Sequence, residues 1–178
     1  MFDPERFVAE CDATIATGGG AAAVCELLAA ALADPAAIVA ALGEPVRAGV
    51  QILHQSPRLT VLNLAWPASF IAPPHNHLMW AAIGVYGGRE DNIFWRRCPI
   101  DSRWPIEAVG AASLLTRDAS TLQEDIIHSV TNPLDKLTAG THVYGGDFFA
   151  PAKSQWEGET LLEAPLKGGP VHKSLAAG

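Results

Sequence analysis

Six histidines punctuate the chain: His54, His75, His77, His128, His142 and His172. His75 and His77 stand two apart in PPHNH, and His142 precedes Tyr144 by two in GTHVYGG. In an extended strand, residues i and i+2 project from one face, so each pattern places its two side chains together. Two imidazoles on one face have the geometry to grip a single ion. Imidazole nitrogen suits iron, zinc, copper and nickel alike, so spacing alone does not choose the metal.

Taken alone, HNH also reads as a polar turn in a surface loop. His128 ends the apolar run of EDIIHSVTN, which places it on a strand, and singly it or His142 also reads as a core histidine with a satisfied ring. Jointly the pattern is harder to explain without an ion. Five imidazole and phenol groups on the inward faces of a small barrel are costly to bury without partners, and a metal with a polar surround satisfies them together. The fixed φ angles of Pro73 and Pro74 limit how the chain enters HNH, which is expected to open a strand. Asn76 then faces outward by alternation. His54 is expected at an edge of an early strand, and His172 in the solvated PVHKS tail.

The elements that must position these residues change character along the chain. Up to Gly43 the sequence is rich in Ala, Leu and Glu, with Pro4 and Asp34-Pro35 at helix starts, and predicts three short helices. The Gly18-Gly19-Gly20 run is a hinge between helices, because no strand precedes it and no GK[ST] follows. From Val46 onward, VQILHQ, RLTVLNLAW, MWAAIGVYG, DNIFWRR, AASLLTRD, EDIIHSVTN and THVYGGDFF are short β-rich runs parted by turn residues. No helical stretch separates them, so the pattern predicts an all-β sandwich or barrel rather than a parallel α/β sheet. Three parts follow: a helical segment over 1–45, a β-barrel domain over 46–162 and an extended arm over 163–178.

Composition narrows the partners. The chain has 178 residues, 49% hydrophobic and 17% charged, and a formal net charge of −7. That is a compact chain with no positive field for a phosphate backbone, so a small molecule is expected as partner and nucleic acid is not. The apolar stretch from Ala21 is broken by Glu26, Asp34 and Pro35, and no membrane span is expected. Cys11, Cys25 and Cys98 form neither a disulfide framework nor a CxxC pair. The N-terminus has acidic residues and no apolar core of a secretory signal. A reducing, cytoplasmic setting is the expectation, with the oligomeric state left open.

HNH, a GG-containing turn after an apolar strand, then IIHSVTNP and THVYGGDFF together resemble the cupin superfamily, and within it the cysteine dioxygenase-like thiol dioxygenases. The resemblance covers about residues 46 to 150 and implies a cupin double-stranded β-helix, a small jelly-roll barrel, after a short helical segment. HxH is generic to cupins; an H-x-V-x-N followed by HxY is more specific. The resemblance implies that His75, His77 and His128 hold a non-haem iron(II), with zinc or nickel as other candidates, and that O2 is the co-substrate. It also implies that His142 and Tyr144 hydrogen-bond the bound substrate or oxygen and tune its proton supply. The expected activity is oxidation of a small thiol, of the cysteine or mercaptocarboxylate type, to its sulfinic acid.

Several residues depart from the family pattern. Leu78 to Ala82 contain no carboxylate, and none occurs until Glu90, so the ligand set on offer is three histidines. Gly140 replaces the serine often found two residues before the HxY histidine, which shortens that relay. No cysteine follows HxH to crosslink the tyrosine. The arginine that clamps the substrate carboxylate in the family is missing near Val50 and Gln51. Gln51 is expected to supply a weaker neutral contact, Arg58 or Arg89 to reach in from a loop, and Trp80, with Trp66, Phe94 and Trp95, to form an apolar wall. The missing clamp leaves two other readings: a cupin metalloenzyme acting on a diketone or phenolic compound, and a non-catalytic metal- or ligand-binding cupin.

Overall fold

A computed structural model describes residues 1–100 and 102–177. Three helices come first, α1 (Pro4–Ala16), α2 (Ala21–Leu32) and α3 (Pro35–Leu42). The Asp3 carboxylate accepts the backbone N–H groups of Glu5 and Arg6 at 3.0 and 3.1 Å, with Pro4 in the first turn where no N–H is needed. Asp34 and Pro35 repeat this arrangement at α3, with the Ala37 N–H at 3.2 Å. The glycine run is a turn between helices, Gly18 adopting a φ of 89° that other residues rarely take. No single helix is long and apolar enough to cross a membrane, and the chain turns by 87° between α2 and α3.

Twelve strands follow among the described residues: β1 (Gly49–Gln55), β2 (Thr60–Trp66), β3 (Ile71–Asn76), β4 (Ala81–Gly87), β5 (Arg89–Arg97), β6 (Ile106–Leu115), β7 (Ala119–Leu122), β8 (Ile127–Thr131), β9 (Thr138–Tyr144), β10 (Ser154–Trp156), β11 (Glu163–Pro165) and β12 (Val171–His172). They form two six-stranded sheets, ordered β12-β1-β2-β9-β4-β7 and β11-β10-β3-β8-β5-β6. The chain stays within one sheet only from β1 to β2, β5 to β6 and β10 to β11, and crosses to the other sheet at every other connection between strands. This is a double-stranded β-helix, preceded by short helices.

The interior between the sheets holds Leu62, Leu64, Ala81, Ile83, Val85, Leu114, Leu122 and Tyr144. On β4 the alternate residues Ala82 and Tyr86 face the other way and pack with Val24, Leu28, Leu32 and Ile38 of the helices. Strands covered on both faces lose their alternation of polar and apolar residues, which is why TVLNLAW and AAIGVYG read as nearly continuous apolar runs. Gly84 permits the close approach of α2: a Cβ there would lie 3.0 Å from Leu28 Cδ2 and closer still to Leu32 Cδ1. The outer face of the second sheet is covered in part by Ile106, Ile127 and Trp156.

One local expectation is corrected and another is extended. HNH closes β3 rather than opening a strand: β3 ends at Asn76, and His77 begins the following loop. Pro73 and Pro74 lie inside the strand, where the β3–β8 register breaks between Ala72 and His75, a place that tolerates residues without an N–H. The tail is extended and strand-forming, with β11 pairing antiparallel to β10 and β12 pairing parallel to β1, so that Val171 lies beside Val50 and His172 beside Gln51.

Candidate metal centre

His75 and His128 are direct cross-strand partners on β3 and β8, and His77 returns from the end of β3 to join them. The ring centroids of His75, His77 and His128 are 4.5 to 5.2 Å apart, and one nitrogen from each lies within 4.8 Å of the others. No carboxylate belongs to this group among the described residues. His77 and His128 are buried and His75 is half-buried.

Hydrogen bonds aim the rings. His75 Nδ1–H donates to the Pro73 carbonyl at 2.9 Å, and His128 Nδ1–H donates to Asn92 Oδ1 at 2.6 Å. Each bond leaves Nε2 without a proton and turned to the common point. The Nε2 atoms of His77 and His128 are 3.1 Å apart. Two imidazole nitrogens bound to one ion at about 2.1 Å and at right angles stand about 3.0 Å apart, so the pair fits a shared metal. Burial, then the neighbouring imidazoles, push the pKa of His77 and His128 well below the ordinary value, which keeps both rings neutral and able to coordinate. His77 Nδ1 is buried without a hydrogen-bond partner, and the His77 ring packs edge-on against Tyr144 and Phe148.

Beside the histidines is a buried carboxylate that the sequence reading left outside the site. Glu90, at the start of β5, is 1% exposed. Its Oε1 accepts Asn92 Nδ2–H at 3.1 Å and its Oε2 accepts Trp66 Nε1–H at 2.8 Å. Burial alone would raise its pKa; His142 and these hydrogen bonds outweigh burial and hold it below the usual carboxylate range. His142 Nε2 lies 3.4 Å from Glu90 Oε2, an ion-pair distance rather than an aligned hydrogen bond, and His142 Nδ1 is 3.2 Å from the Tyr144 hydroxyl. Gly140 puts no side chain on the Nε2 side of His142, where a Cβ would stand 3.6 Å away, and Glu90 approaches that side from another strand. Burial and the Glu90 charge raise the Tyr144 pKa, so its phenol stays protonated. The i, i+2 spacing of Glu90, Asn92 and the inward-packed Phe94 was the available signal for this cluster.

No protein-family model matches the chain, and no curated protein matches it. Solved structures similar to it include a cupin family protein with a double-stranded β-helix fold from Methanocaldococcus jannaschii, 8% identical with a TM-score of 0.47, covering 60% of this chain and 86% of that one. A cupin superfamily protein from Desulfitobacterium hafniense is 11% identical with a TM-score of 0.44, covering 59% and 83%. A DMSP lyase from Ruegeria pomeroyi is 17% identical with a TM-score of 0.45, covering 58% of this chain and 46% of that one. The strand order described above is that of a double-stranded β-helix barrel.

Three expected substrate contacts lie elsewhere in that barrel. Gln51 is on the helix-facing side of β1, where its Oε1 accepts Asn63 Nδ2–H at 3.0 Å, and Asn63 in turn accepts the Tyr86 hydroxyl at 2.8 Å. Val50, one residue earlier, is the side chain that packs inward. Trp80 packs in the helix-side cluster, and a Cβ on Gly145 would run into its ring. Arg58 is held outside by Asp12 of α1, both carboxylate oxygens lying 3.1 Å from one guanidinium nitrogen. Arg89 is likewise engaged by Asp91 at 2.7 Å. The sequence reading also missed Lys153. Its Nζ sits 4.2 Å above the Phe148 ring and donates to the Phe148 carbonyl, and Phe148 packs on His77 and Tyr144. His54 lies on β1 and His172 on β12, on strands that contribute none of the three clustered histidines.

Proposed function

We propose that the protein is a non-haem iron(II) dioxygenase that oxidises a small thiol to its sulfinic acid, R–SH + O2 → R–SO2H. The observation that carries this reading is the convergence of three neutral imidazoles with no carboxylate among them, beside the His142–Tyr144 pair. His75, His77 and His128 would hold the iron. Iron(II) held by neutral ligands would keep its double charge, would favour an anionic thiolate and would supply the redox chemistry that O2 requires.

The chain's own residues do the rest. The hydrogen bonds to Pro73 and Asn92 orient two of the ligand rings before any substrate arrives. The Tyr144 hydroxyl, kept protonated by burial and held 3.2 Å from His142 Nδ1, presents its oxygen as an acceptor on the His77 side of the site, its ring centroid 5.1 Å from that of His77. Met79, Phe94 and Phe148 pack in the interior cluster and exclude water from this region. Lys153 supplies a cation for a substrate carboxylate, in place of the contacts sought at Gln51 and Arg58.

A second reading, a cupin metalloenzyme acting on a non-thiol substrate such as a diketone or phenolic compound, is favoured by one observation: the inward residue at the expected clamp position is the apolar Val50. Oxygen uptake by the iron-loaded chain separates the two. Uptake with cysteine, 3-mercaptopropionate or cysteamine, with one sulfinate formed per O2 consumed, is the expected result. No uptake with any of the three overturns the thiol reading.

A further inference from the structure

We propose that Glu90 is a positioning residue whose single carboxylate fixes which nitrogen carries the proton on both His128 and His142, and so orients the polar contacts that link the metal centre to the HxY pair. The inference rests on the three-histidine reading of the site, though not on the identity of the substrate.

Donor and acceptor inventory decides the first branch. An ionised carboxylate accepts and cannot donate, and an indole N–H donates and cannot accept. Asn92 must therefore turn its Nδ2–H group to Glu90 Oε1, 3.1 Å away, and this presents its Oδ1 to His128. An amide oxygen accepts, so His128 must carry its proton on Nδ1, 2.6 Å away, and its Nε2 is left bare. On the other branch, His142 Nε2 lies 3.4 Å from Glu90 Oε2 without an aligned hydrogen bond, and the nearby carboxylate charge favours the tautomer with its proton on Nε2. In the neutral ring Nδ1 then accepts the Tyr144 hydroxyl, 3.2 Å away.

Glu90, Asn92, His128 and His142 are each no more than 3% exposed, so water does not compete for these bonds. Trp66 Nε1–H, fixed on Oε2 at 2.8 Å, anchors the carboxylate without affecting this polarity. A glutamine at position 90 has the same shape but can turn its amide either way, and the unique direction is lost.

The imidazole 15N–1H correlation spectrum of the full-length, metal-free chain at neutral pH tests the assignment without substrate or turnover. Wild type is expected to have His128 protonated on Nδ1 and His142 on Nε2. A proton found on the other nitrogen of either ring overturns the proposal whatever any variant does. Glu90→Gln is expected to lose the single tautomer of His142, whereas Trp66→Phe, which disturbs the same pocket but keeps the carboxylate, is expected to retain both. Unchanged tautomers in Glu90→Gln also overturn it. Correct tautomers in a chain that consumes no O2 with thiols would sink the proposed activity and leave this inference standing.

Discussion

His77 Nε2 and His128 Nε2 stand 3.1 Å apart inside the barrel, one contributed by the loop after β3 and the other by β8. At that separation the two nitrogens either share a proton or bind one ion between them. His128→Ala and His75→Ala should each abolish stoichiometric iron or zinc binding. Elemental analysis of the purified variants checks this, and undiminished metal content would remove the basis of the site.

Asn92→Leu takes away the acceptor of His128 Nδ1–H and a donor to Glu90. Loss of such an outer partner costs about 10- to 100-fold in metal affinity or activity. The expected outcome is weakened metal binding with an intact fold, read by competition with a chelator. Wild-type affinity would mean that the 2.6 Å contact does not orient the ring.

Lys153→Gln should separate substrates. A hydrogen bond to a charged group contributes about 1.5–3 kcal/mol, and Lys153 is only half-buried, so the lower end of that range applies. About tenfold in KM is expected for 3-mercaptopropionate, with little change for cysteamine, which has no carboxylate. Equal effects on both would show that Lys153 does not read the carboxylate.

Both tyrosines of the chain are buried. Burial pushes Tyr86 up to about 12, against the hydrogen bond to Asn63, and raises Tyr144 as well. A phenol in the unfolded chain titrates near pH 10, so the folded form holds its protons longer. This contribution to stability is complete below about pH 10 and is lost as pH rises through the folded value. Tyrosinate absorbance is therefore expected to appear together with unfolding, followed by circular dichroism. A tyrosinate signal at pH 10 in the folded chain would contradict the burial of both rings.

Gly84→Ala probes the support of the site from outside. The added methyl meets Leu28 and Leu32, and overpacking of this kind costs about 1–3 kcal/mol. A lower thermal midpoint with unchanged metal binding is expected.

The barrel and the three clustered histidines were legible because strand alternation and the H-x-V-x-N and HxY patterns are local features. Parity over a longer count was not. Gln51 and Trp80 were each placed inward, and a shift of one residue turns a side chain to the opposite face, so Val50 and Ala81 are the inward neighbours. The strand that ends in HNH was hidden because prolines at a register break look like a loop. Glu90 was invisible for a different reason. It sits in RED, which reads as a solvated strand end, and its burial depends on Trp66 of β2 and His142 of β9, distant in sequence. The placement of Arg58 was not legible because its partner, Asp12, lies in a helix whose docking the sequence does not specify.

The most direct measurement is the mass of the product formed by the iron-loaded chain from a small thiol under 18O2. The account predicts a sulfinic acid carrying two labelled oxygens, formed by wild type and absent in His128→Ala. A sulfur product with one labelled oxygen or none, or the same yield from the variant, would contradict it.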